Sequence, residues 1–268
     1  MAVVDRYGPD RLPSALVLTF DNLGEASALE RGTQPPDVPL GRDPSVLQAL
    51  PWLLDELERH RLTATFFVEA INCELYPDAV REIAARGHEI GHHGWAHEAW
   101  RSLSPANERD ALARGVHAFA ALGLRPRGFR PPGGQLTPRS PALLRDNGFD
   151  WCSPAGTRAE VVAGLAYIPF DWDLVDAYHL MDSFARLRAE RGDPEPPRAP
   201  GALADHIERR LTATPGPHTL ILHPFLMLDA GWAAGASRVL ATVAELAQRR
   251  RTWVVRGKLF ADWQLARS

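Results

Sequence analysis

Short runs of apolar, β-branched and aromatic residues recur along the chain, and turn-forming or polar residues separate them. Runs of this length and composition are typical of buried strands. The pattern predicts eight strands, at residues 15–20, 63–68, 88–91, 127–129, 149–152, 165–170, 219–223 and 252–255. The segments near 127 and 149 carry the weakest signal, so a closed barrel and an incomplete or distorted one fit the pattern equally well.

Amphipathic segments with helical periodicity lie between these strands. Some of them begin with helix-start signals, such as Ser104-Pro105 and Thr137-Pro138. Strands that alternate with helices of this length indicate a parallel sheet. We therefore predict an α/β fold in which residues 1–268 form one domain, a closed or distorted (β/α) barrel of seven or eight mostly parallel strands. A doubly wound open sheet is the alternative. The predicted helices are 44–60, 77–86, 105–122, 138–147, 202–213 and 235–250.

Two stretches rich in glycine or proline, 23–43 and 183–201, fit neither pattern. Neither is flanked by a separate core-sized sequence, so we interpret both as surface loops or lids of the one domain. The chain has no internal repeat at a fixed period, which argues against a solenoid or propeller.

Composition narrows the classes of function. Apolar residues make up 45% of the chain and charged residues 24%, a balance typical of globular proteins. The net charge of −3 and the dispersed Lys and Arg residues argue against binding to nucleic acid.

No apolar run reaches membrane-spanning length, and the first residues lack the pattern of a secretory signal, so we expect a cytoplasmic protein without membrane contact. Cys73 and Cys152 fit no disulfide or zinc pattern and are predicted to be buried.

Four histidines lie in the segment 87–98, GHEIGHHGWAHE. A helical turn over Gly94-Trp95-Ala96 would place the His93 and His97 imidazoles on one face, within roughly 6 Å, which suits one divalent cation. His88 and His92 flank a strand-like segment instead, where residues four apart lie about 13 Å from each other. We predict His93 and His97 as metal ligands and His88 and His92 as supporting or structural residues.

Chemically active residues follow the predicted strands repeatedly. Because parallel strands of a barrel end at one rim, side chains placed there converge in space. Their combination of acids, histidines and an arginine indicates a catalytic site. The residues are Asp21, Glu69, His93, Arg130 and His223.

Two of these positions have an alternative interpretation. Asp21 and Asn22 could simply begin a loop. His223 ends the most apolar strand and is either a core residue that caps the barrel or a general acid able to protonate a leaving amine. Arg130 stands at the base of a stiff Pro-Pro-Gly-Gly turn, from which it could orient the Asp21 carboxylate.

Four strings, taken together and in order, resemble the polysaccharide deacetylase superfamily, also called the NodB-homology or carbohydrate esterase family 4 proteins. They are TFDN at 19–22, the pair His93 and His97, RPPGG at 130–134 and LILHP at 220–224. The segment 170–178 and the sequence HGWAHE at 93–98 resemble one branch of this superfamily. That branch contains intracellular peptidoglycan-deacetylase-like proteins and cyclic-imide or allantoin hydrolases.

The resemblance implies a distorted (β/α) barrel and a hydrolase of C–N bonds with a divalent ion, zinc first and cobalt, nickel or manganese as alternatives. It assigns Asp21 as base, His93 and His97 as metal ligands, Arg130 as the residue that orients the base, and His223 as acid. It also implies a homo-oligomer. The lack of an export signal and the two long loops, 23–43 and 183–201, favour a small-molecule substrate. The expected substrate-binding residues are Trp172, Asp176, Pro132, Gly133 and Glu69.

One departure from the family pattern concerns Asn22, which stands where the family has a second aspartate that completes the metal site. A neutral amide oxygen is a weaker ligand, so the resemblance implies lower metal affinity, with Asn22 retained as a ligand or replaced by Asp21, Glu25 or Glu69.

The leading hypothesis is an N-deacetylase of a small N-acetylated sugar or glycosylated metabolite. The alternatives are a metal-independent cyclic imide or ureide hydrolase and a catalytically inactive sugar- or metabolite-binding barrel.

Overall fold

A curled, mostly parallel sheet organises the chain around its first strand, β1. The structure is a computed structural model and describes residues 6–193 and 198–268. Within these residues the sheet comprises β1 (Ser14–Asp21), β2 (Thr65–Val68), β3 (Glu89–His92), β4 (Gly128–Phe129), β5 (Trp151–Cys152), β6 (Glu160–Val162), β7 (Leu165–Tyr167), β8 (Pro217–Leu222) and β9 (Thr252–Val255).

The order of the strands is β6-β7-β5-β4-β3-β2-β1-β8, with β9 paired to β1. All pairs are parallel except β6 with β7. A parallel bridge between Val175 and Ile221 joins the segment after β7 to β8 and brings the two sides of the sheet together. The predicted distorted (β/α) barrel is therefore confirmed, and each of the eight predicted strands is present. The short strand β6, which is mostly exposed, was not predicted.

The distortion is clearest along one edge of β1. Thr19 to Asp21 pair with β2, whereas Ser14 to Val17 pair with β9. Two strands thus share that edge, each covering half of it. The half of β1 that pairs with β2 is the one that ends at Asp21.

Helices surround the sheet, and the structure contains a helix in each of the six predicted segments. The segment 44–60 begins with a π-helical turn, Ser45–Ala49, and continues as an α-helix. In the part of the chain that the structure describes, the α-helices are α1 (Ala26–Glu30), α2 (Leu50–Arg59), α3 (Asn72–Leu75), α4 (Pro77–Ala85), α5 (Pro105–Ala121), α6 (Ser140–Asp146), α7 (Asp176–Leu180), α8 (Ala185–Glu190), α9 (Pro200–Ala213), α10 (Ala230–Gln248) and α11 (Gly257–Leu265).

The two predicted loops are only partly irregular. The stretch 23–43 contains α1, and 183–201 contains α8 and the start of α9. Both helices are short, and their amphipathic pattern is too brief to recognise. Residues 194–197 of the second loop lie outside the described residues. Across 6–193 and 198–268, no helix combines the length and the hydropathy needed to cross a bilayer.

Alternation along the strands decides which side chains face the barrel interior. In β1, Leu16 and Leu18 belong to the hydrophobic cluster between the sheet and the surrounding helices. Ala15 and Val17 belong to a separate hydrophobic cluster, which also contains Phe67 and Trp151. Because successive side chains of a strand point to opposite faces, the interior positions of β1 are the odd ones. Asp21 therefore continues the interior row of β1 at the rim.

Candidate active site

The same alternation brings polar side chains from several strands into the upper end of the barrel. Glu69 lies two residues after the interior residue Phe67, and Ser153 lies two residues after Trp151. His93, Arg130 and His223 occupy the corresponding positions after β3, β4 and β8. The predicted convergence of residues at the strand ends is thus confirmed as a geometric arrangement.

Arg130 is buried in the barrel mouth and is held there by several partners. Its Nη1 donates hydrogen bonds to Asp21 Oδ1 at 2.6 Å and to Thr19 Oγ1 at 2.8 Å, and its Nη2 donates to Ser153 Oγ at 2.9 Å. The guanidinium also lies 4.1 Å from the ring centroid of Phe67. Because a charge-assisted bond occupies one Asp21 oxygen, the carboxylate has a fixed orientation and its second oxygen is available to other groups.

His93 and His97 come together, but on a turn instead of the predicted helix. Their ring centroids lie 5.1 Å apart. The backbone has positive φ at Gly94 (77°) and His97 (70°), which a right-handed helix does not permit. The Glu98 carboxylate accepts the N–H groups of Trp95 and Ala96, both at 3.0 Å, and thereby closes the turn. The expectation of a helical turn was wrong, whereas the expected proximity of the two rings was correct.

Both imidazoles are in the protonation state that a metal requires. Burial lowers the pKa of His93 to about 3 and that of His97 to about 3, so both are neutral at pH 7. His93 Nδ1 lies 2.9 Å from the Arg130 carbonyl oxygen, which can only accept, so the ring proton is on Nδ1. His93 Nε2 therefore presents a lone pair, 3.9 Å from Asp21 Oδ2.

Two buried oxygen atoms beside this pair have no hydrogen-bond partner among the described residues. They are Asn22 Oδ1 and Glu69 Oε1. Buried polar atoms are almost always paired, so these two oxygens are candidates to bind an ion or a water molecule. Burial raises the pKa of Glu69 to about 8, and the nearby carboxylates of Asp21 and Glu98 add to the effect. The carboxyl group is thus stabilised in its protonated form unless a cation lies next to it.

Glu25, which was one alternative ligand, serves a different purpose. Its Oε1 accepts the N–H groups of Gly41 and Arg42, and its Oε2 accepts the Tyr76 hydroxyl at 2.6 Å. These bonds tie the two ends of the 23–43 loop to each other and to the segment before α4. Because both of its oxygens already have partners, Glu25 is not a metal ligand in this arrangement.

His223 forms a closely hydrogen-bonded pair with Asp176. Its Nδ1 lies 2.5 Å from Asp176 Oδ1, and its backbone N–H donates to Asp176 Oδ2 at 2.9 Å. Trp232 Nε1 donates to the same oxygen. Burial opposes a charge on His223, but the Asp176 carboxylate, supported by Asp21, outweighs it and raises the histidine pKa above its ordinary value.

These residues open onto a cavity of about 560 Å³ at the barrel mouth. Of the expected substrate-binding residues, Trp172 and Gly133 line it. Asp176 and Glu69 have no exposed surface, and Pro132 packs against the backbone of Gly94. We therefore correct the expectation for these three residues: Asp176 orients His223, Pro132 supports the histidine turn, and Glu69 lies beneath the cavity beside His93 and His97.

Sequence reasoning missed the supports of the site. Thr19 and Ser153 bind Arg130, and Glu98 shapes the histidine turn. Thr19 and Glu98 stand in the TFDN and HGWAHE segments but were given no role, and Ser153 stands in no quoted motif. The one usable signal was position, since Ser153 follows β5 just as Arg130 follows β4. His88, His92 and both cysteines are buried: His88 Nδ1 accepts the Ala64 N–H, and Cys73 and Cys152 are free thiols.

Comparison with known proteins supports the assignment suggested by these motifs. The polysaccharide deacetylase family model matches residues 10–151 of the 268, just over half of the chain. Chitin deacetylase 1 of Saccharomyces cerevisiae is 37% identical over 106 residues, which cover 35% of this chain and 35% of that protein. A peptidoglycan-N-acetylglucosamine deacetylase of Bacillus cereus is 33% identical over 91 residues, covering 34% of this chain and 33% of that protein. The matched part is about a third of the length of these curated relatives.

A structural comparison covers more of the chain. The crystal structure of a Mycobacterium smegmatis protein assigned as a polysaccharide deacetylase superimposes with a TM-score of 0.83 at 26% identity. That alignment covers 100% of this chain and 95% of the other. On the combined basis of fold, motif order and family match, the chain belongs to the polysaccharide deacetylase family.

Proposed function

We propose that the protein is a metal-assisted hydrolase that removes the acetyl group from a small N-acetylated sugar or related metabolite. One observation carries the proposal: the Asp21–Arg130 pair, the His93–His97 pair and His223, which Asp176 holds from behind, all meet at one cavity. They provide a base, a pair of metal ligands and an acid for the hydrolysis of an amide.

The residues present fit a divalent ion. His93 and His97 offer neutral imidazole nitrogens, and Asn22 and Glu69 offer buried oxygens without partners in the described structure. Two imidazoles with oxygen ligands form a donor set that zinc, cobalt, nickel and manganese accept. When bound, such an ion supplies Lewis acidity, which polarises an amide carbonyl and acidifies water.

Asp21 is positioned to act as the general base. Arg130 occupies Oδ1, so Oδ2 faces the two histidines and accepts a proton from the attacking water. Arg130 also compensates the negative charge of Asp21 inside the buried site, because its guanidinium lies at hydrogen-bond distance.

His223 acts as the general acid on the leaving nitrogen. Asp176 holds Nδ1, so Nε2 is the atom left to face the cavity and donate a proton. The complete reaction consumes one water: the C–N bond breaks, the acyl carbon gains a hydroxyl oxygen, and the nitrogen leaves as an amine after it gains the proton. The products are acetate and a free amine.

The cavity suits a small substrate. Its volume of about 560 Å³ lies within the usual range for small-molecule sites. Loop residues 23–43 contribute Ser27, Arg31 and Thr33 to one side, and aromatic side chains including Trp172 and Phe184 form another. Residues of both loops line the barrel mouth, which favours a small substrate over a polymer.

Acetate release from a panel of N-acetylated sugars and amines tests the proposal. We expect turnover by the zinc- or cobalt-loaded protein, loss of turnover after chelation, and a loss of at least 100-fold in Asp21→Asn. Ring opening of cyclic imides or ureides that is insensitive to chelators would replace this function with the metal-independent alternative. Binding of sugars without turnover of any compound would favour the inactive barrel.

A further inference from the structure

The family pattern places a second aspartate, as a metal ligand, immediately after Asp21, where this chain has Asn22. A buried carboxylate nevertheless lies close by, on Glu69. We propose that Glu69, after β2, supplies the anionic oxygen ligand that Asn22 cannot, so that the metal site consists of Glu69, His93 and His97. The inference rests on the proposed function for the presence of a metal, but it concerns which residue of this chain holds it.

The geometry of the three side chains comes first. One ligand atom from each of Glu69, His93 and His97 can be chosen so that all three lie within 4.8 Å of one another. Ligand atoms about 2 Å from a common ion are separated by distances in this range. Two imidazoles and one carboxylate, with positions left open, form a set that divalent transition metals accept.

The two oxygens of Glu69 have different surroundings. Oε2 accepts the Leu23 N–H at 3.2 Å and lies 3.4 Å from Asn72 Nδ2. Oε1 is equally buried, yet it has no partner within the described residues. One oxygen thus anchors the side chain while the other is presented, as expected for a preoriented ligand.

The other carboxylates near the histidines have other partners or another proposed role. Asp21 Oδ1 binds Arg130 and its Oδ2 is the proposed base, and both Glu98 oxygens accept backbone N–H groups. Glu25 is bound on both oxygens by the loop and Tyr76. Among the four, Glu69 is the one with a wholly buried oxygen that the surrounding described residues leave unpaired.

Asn22 then has a secondary place in the site. Its Oδ1 is also buried and unpaired in the part of the structure that is described, so it can contribute a neutral fourth donor. A carboxylate attracts a divalent cation more strongly than an amide does, because it carries a full charge in a site of low dielectric constant. We therefore expect most of the oxygen contribution to affinity from Glu69.

Neighbouring strands make this relocation possible. Asp21 pairs with Phe67 in the parallel register of β1 and β2. Two residues further along the chain from Asp21 and Phe67, just beyond the ends of the strands, Leu23 and Glu69 are still joined by the hydrogen bond from Leu23 N–H. The ends of β1 and β2 therefore adjoin each other, and either can present an oxygen to His93 and His97.

A second group of possible ligands, Asp173, His179 and His206, provides a useful control. Arg210 and His206 already bind the Asp173 carboxylate, and His179 Nδ1 accepts from Arg198. These cationic neighbours disfavour an additional cation. His206→Ala should therefore leave metal stoichiometry unchanged.

Calorimetric titration of the metal-free protein with zinc tests the inference directly. We expect a stoichiometry of one, and an affinity reduced by about 100-fold or more in Glu69→Gln, beyond the 10–100-fold usually lost with residues that only support a ligand. Asn22→Ala should lose less than about tenfold. Glu74→Gln, an exposed glutamate on α3, is the matched control and should bind as wild type does. Circular dichroism and thermal unfolding establish that each variant is folded.

A double variant then moves the charge back to the position that the family uses. Glu69→Gln combined with Asn22→Asp should regain at least tenfold of the lost affinity, and its cobalt complex should recover the visible absorption that Glu69→Gln lacks. If the double variant binds no better than Glu69→Gln, a charged oxygen is not what Glu69 contributes, and the inference is overturned.

The outcomes separate this inference from the proposed function. Unchanged zinc affinity in Glu69→Gln, together with lost affinity in His93→Ala, would overturn the role of Glu69 and leave the metal-assisted hydrolase intact. Unchanged affinity in His93→Ala and His97→Ala would overturn both. Loss of affinity in Glu69→Gln and in His93→Ala, with rescue by Asn22→Asp, supports both.

Discussion

Arg130 and Asp21 lie 109 positions apart in the sequence and form a buried ion pair of 2.6 Å at the mouth of the barrel. The pair joins the ends of β1 and β4, which are not neighbours in the sheet. It therefore links the stability of the barrel rim to the orientation of the proposed base. A substitution in either residue should be visible both in unfolding and in turnover.

The first prediction concerns this pair. Arg130→Met leaves the Asp21 carboxylate buried without a counter-ion, so we expect the free energy of unfolding to fall by about 3–5 kcal/mol. Arg130→Met with Asp21→Asn should recover part of that loss, because the uncompensated charge is gone. Urea denaturation of the two single variants and the double variant measures the coupling, and additive effects would contradict the prediction.

The second prediction concerns the pH dependence set by Asp176. Because Asp176 raises the pKa of His223, the proposed acid stays protonated to higher pH, and activity is lost as pH rises through that pKa. Asp176→Asn should move the alkaline limb of the kcat/KM profile to lower pH. Asp229→Asn, which keeps the N-cap to the Trp232 N–H, is the matched control. Coincident alkaline limbs in wild type and Asp176→Asn would refute His223 as the acid.

The third prediction concerns acid destabilisation by His92. Burial lowers its pKa to about 3 from an ordinary 6.5, so the unfolded chain binds more protons between these values. The contribution of His92 to stability is complete above pH 6.5 and is lost as pH falls. For one such histidine we expect a loss of about 2 kcal/mol at pH 5 relative to pH 7.

The measurement compares metal-free wild type with His92→Gln, which offers an acceptor to the Gly94 N–H but does not titrate in this range. The difference between their unfolding free energies should shrink by that amount as pH falls from 7 to 5. Glu69 changes stability in the opposite direction, since its raised pKa favours the protonated native state, but it is common to both proteins and cancels. A pH-independent difference would show that His92 is not buried in neutral form.

Much of the fold followed from the sequence because it depends on local patterns. Apolar runs located the eight strands, and parallel topology predicted that Asp21, Arg130 and His223 would meet at one rim. The conformation of the His93–His97 turn did not follow, because it depends on a left-handed His97 and on the carboxylate of Glu98. The positions of Asp176 and Glu69 depend on contacts with chain segments distant in sequence.

The fourth prediction concerns Gly94 in the histidine turn. A Cβ there would lie 2.5 Å from Glu98 Oε2, and φ is 77°, so Gly94→Ala should strain the backbone and displace Glu98. Gly87→Ala is the matched control, because it has a similar φ of 83° but no atom within 4 Å. We expect about 1–2 kcal/mol of destabilisation in Gly87→Ala from its conformation alone. Gly94→Ala should lose more stability, and zinc affinity as well, and equal effects of the two substitutions would contradict the role of the turn.

The last prediction concerns Trp172 in the cavity wall. Its ring packs at 5.1 Å from Phe170 and at 5.5 Å from Phe184, so it presents a fixed apolar face beside the proposed reaction site. An apolar contact of this kind stabilises bound substrate and transition state alike, so its removal raises KM and leaves kcat nearly unchanged. Trp172→Ala should raise KM about tenfold, equivalent to about 1.4 kcal/mol, and Trp172→Phe should raise it less. Steady-state kinetics on the best substrate of the acetyl panel measures both constants. A fall in kcat with unchanged KM would mean instead that Trp172 contacts the reacting group, and the assignment of this wall to substrate binding would have to be abandoned.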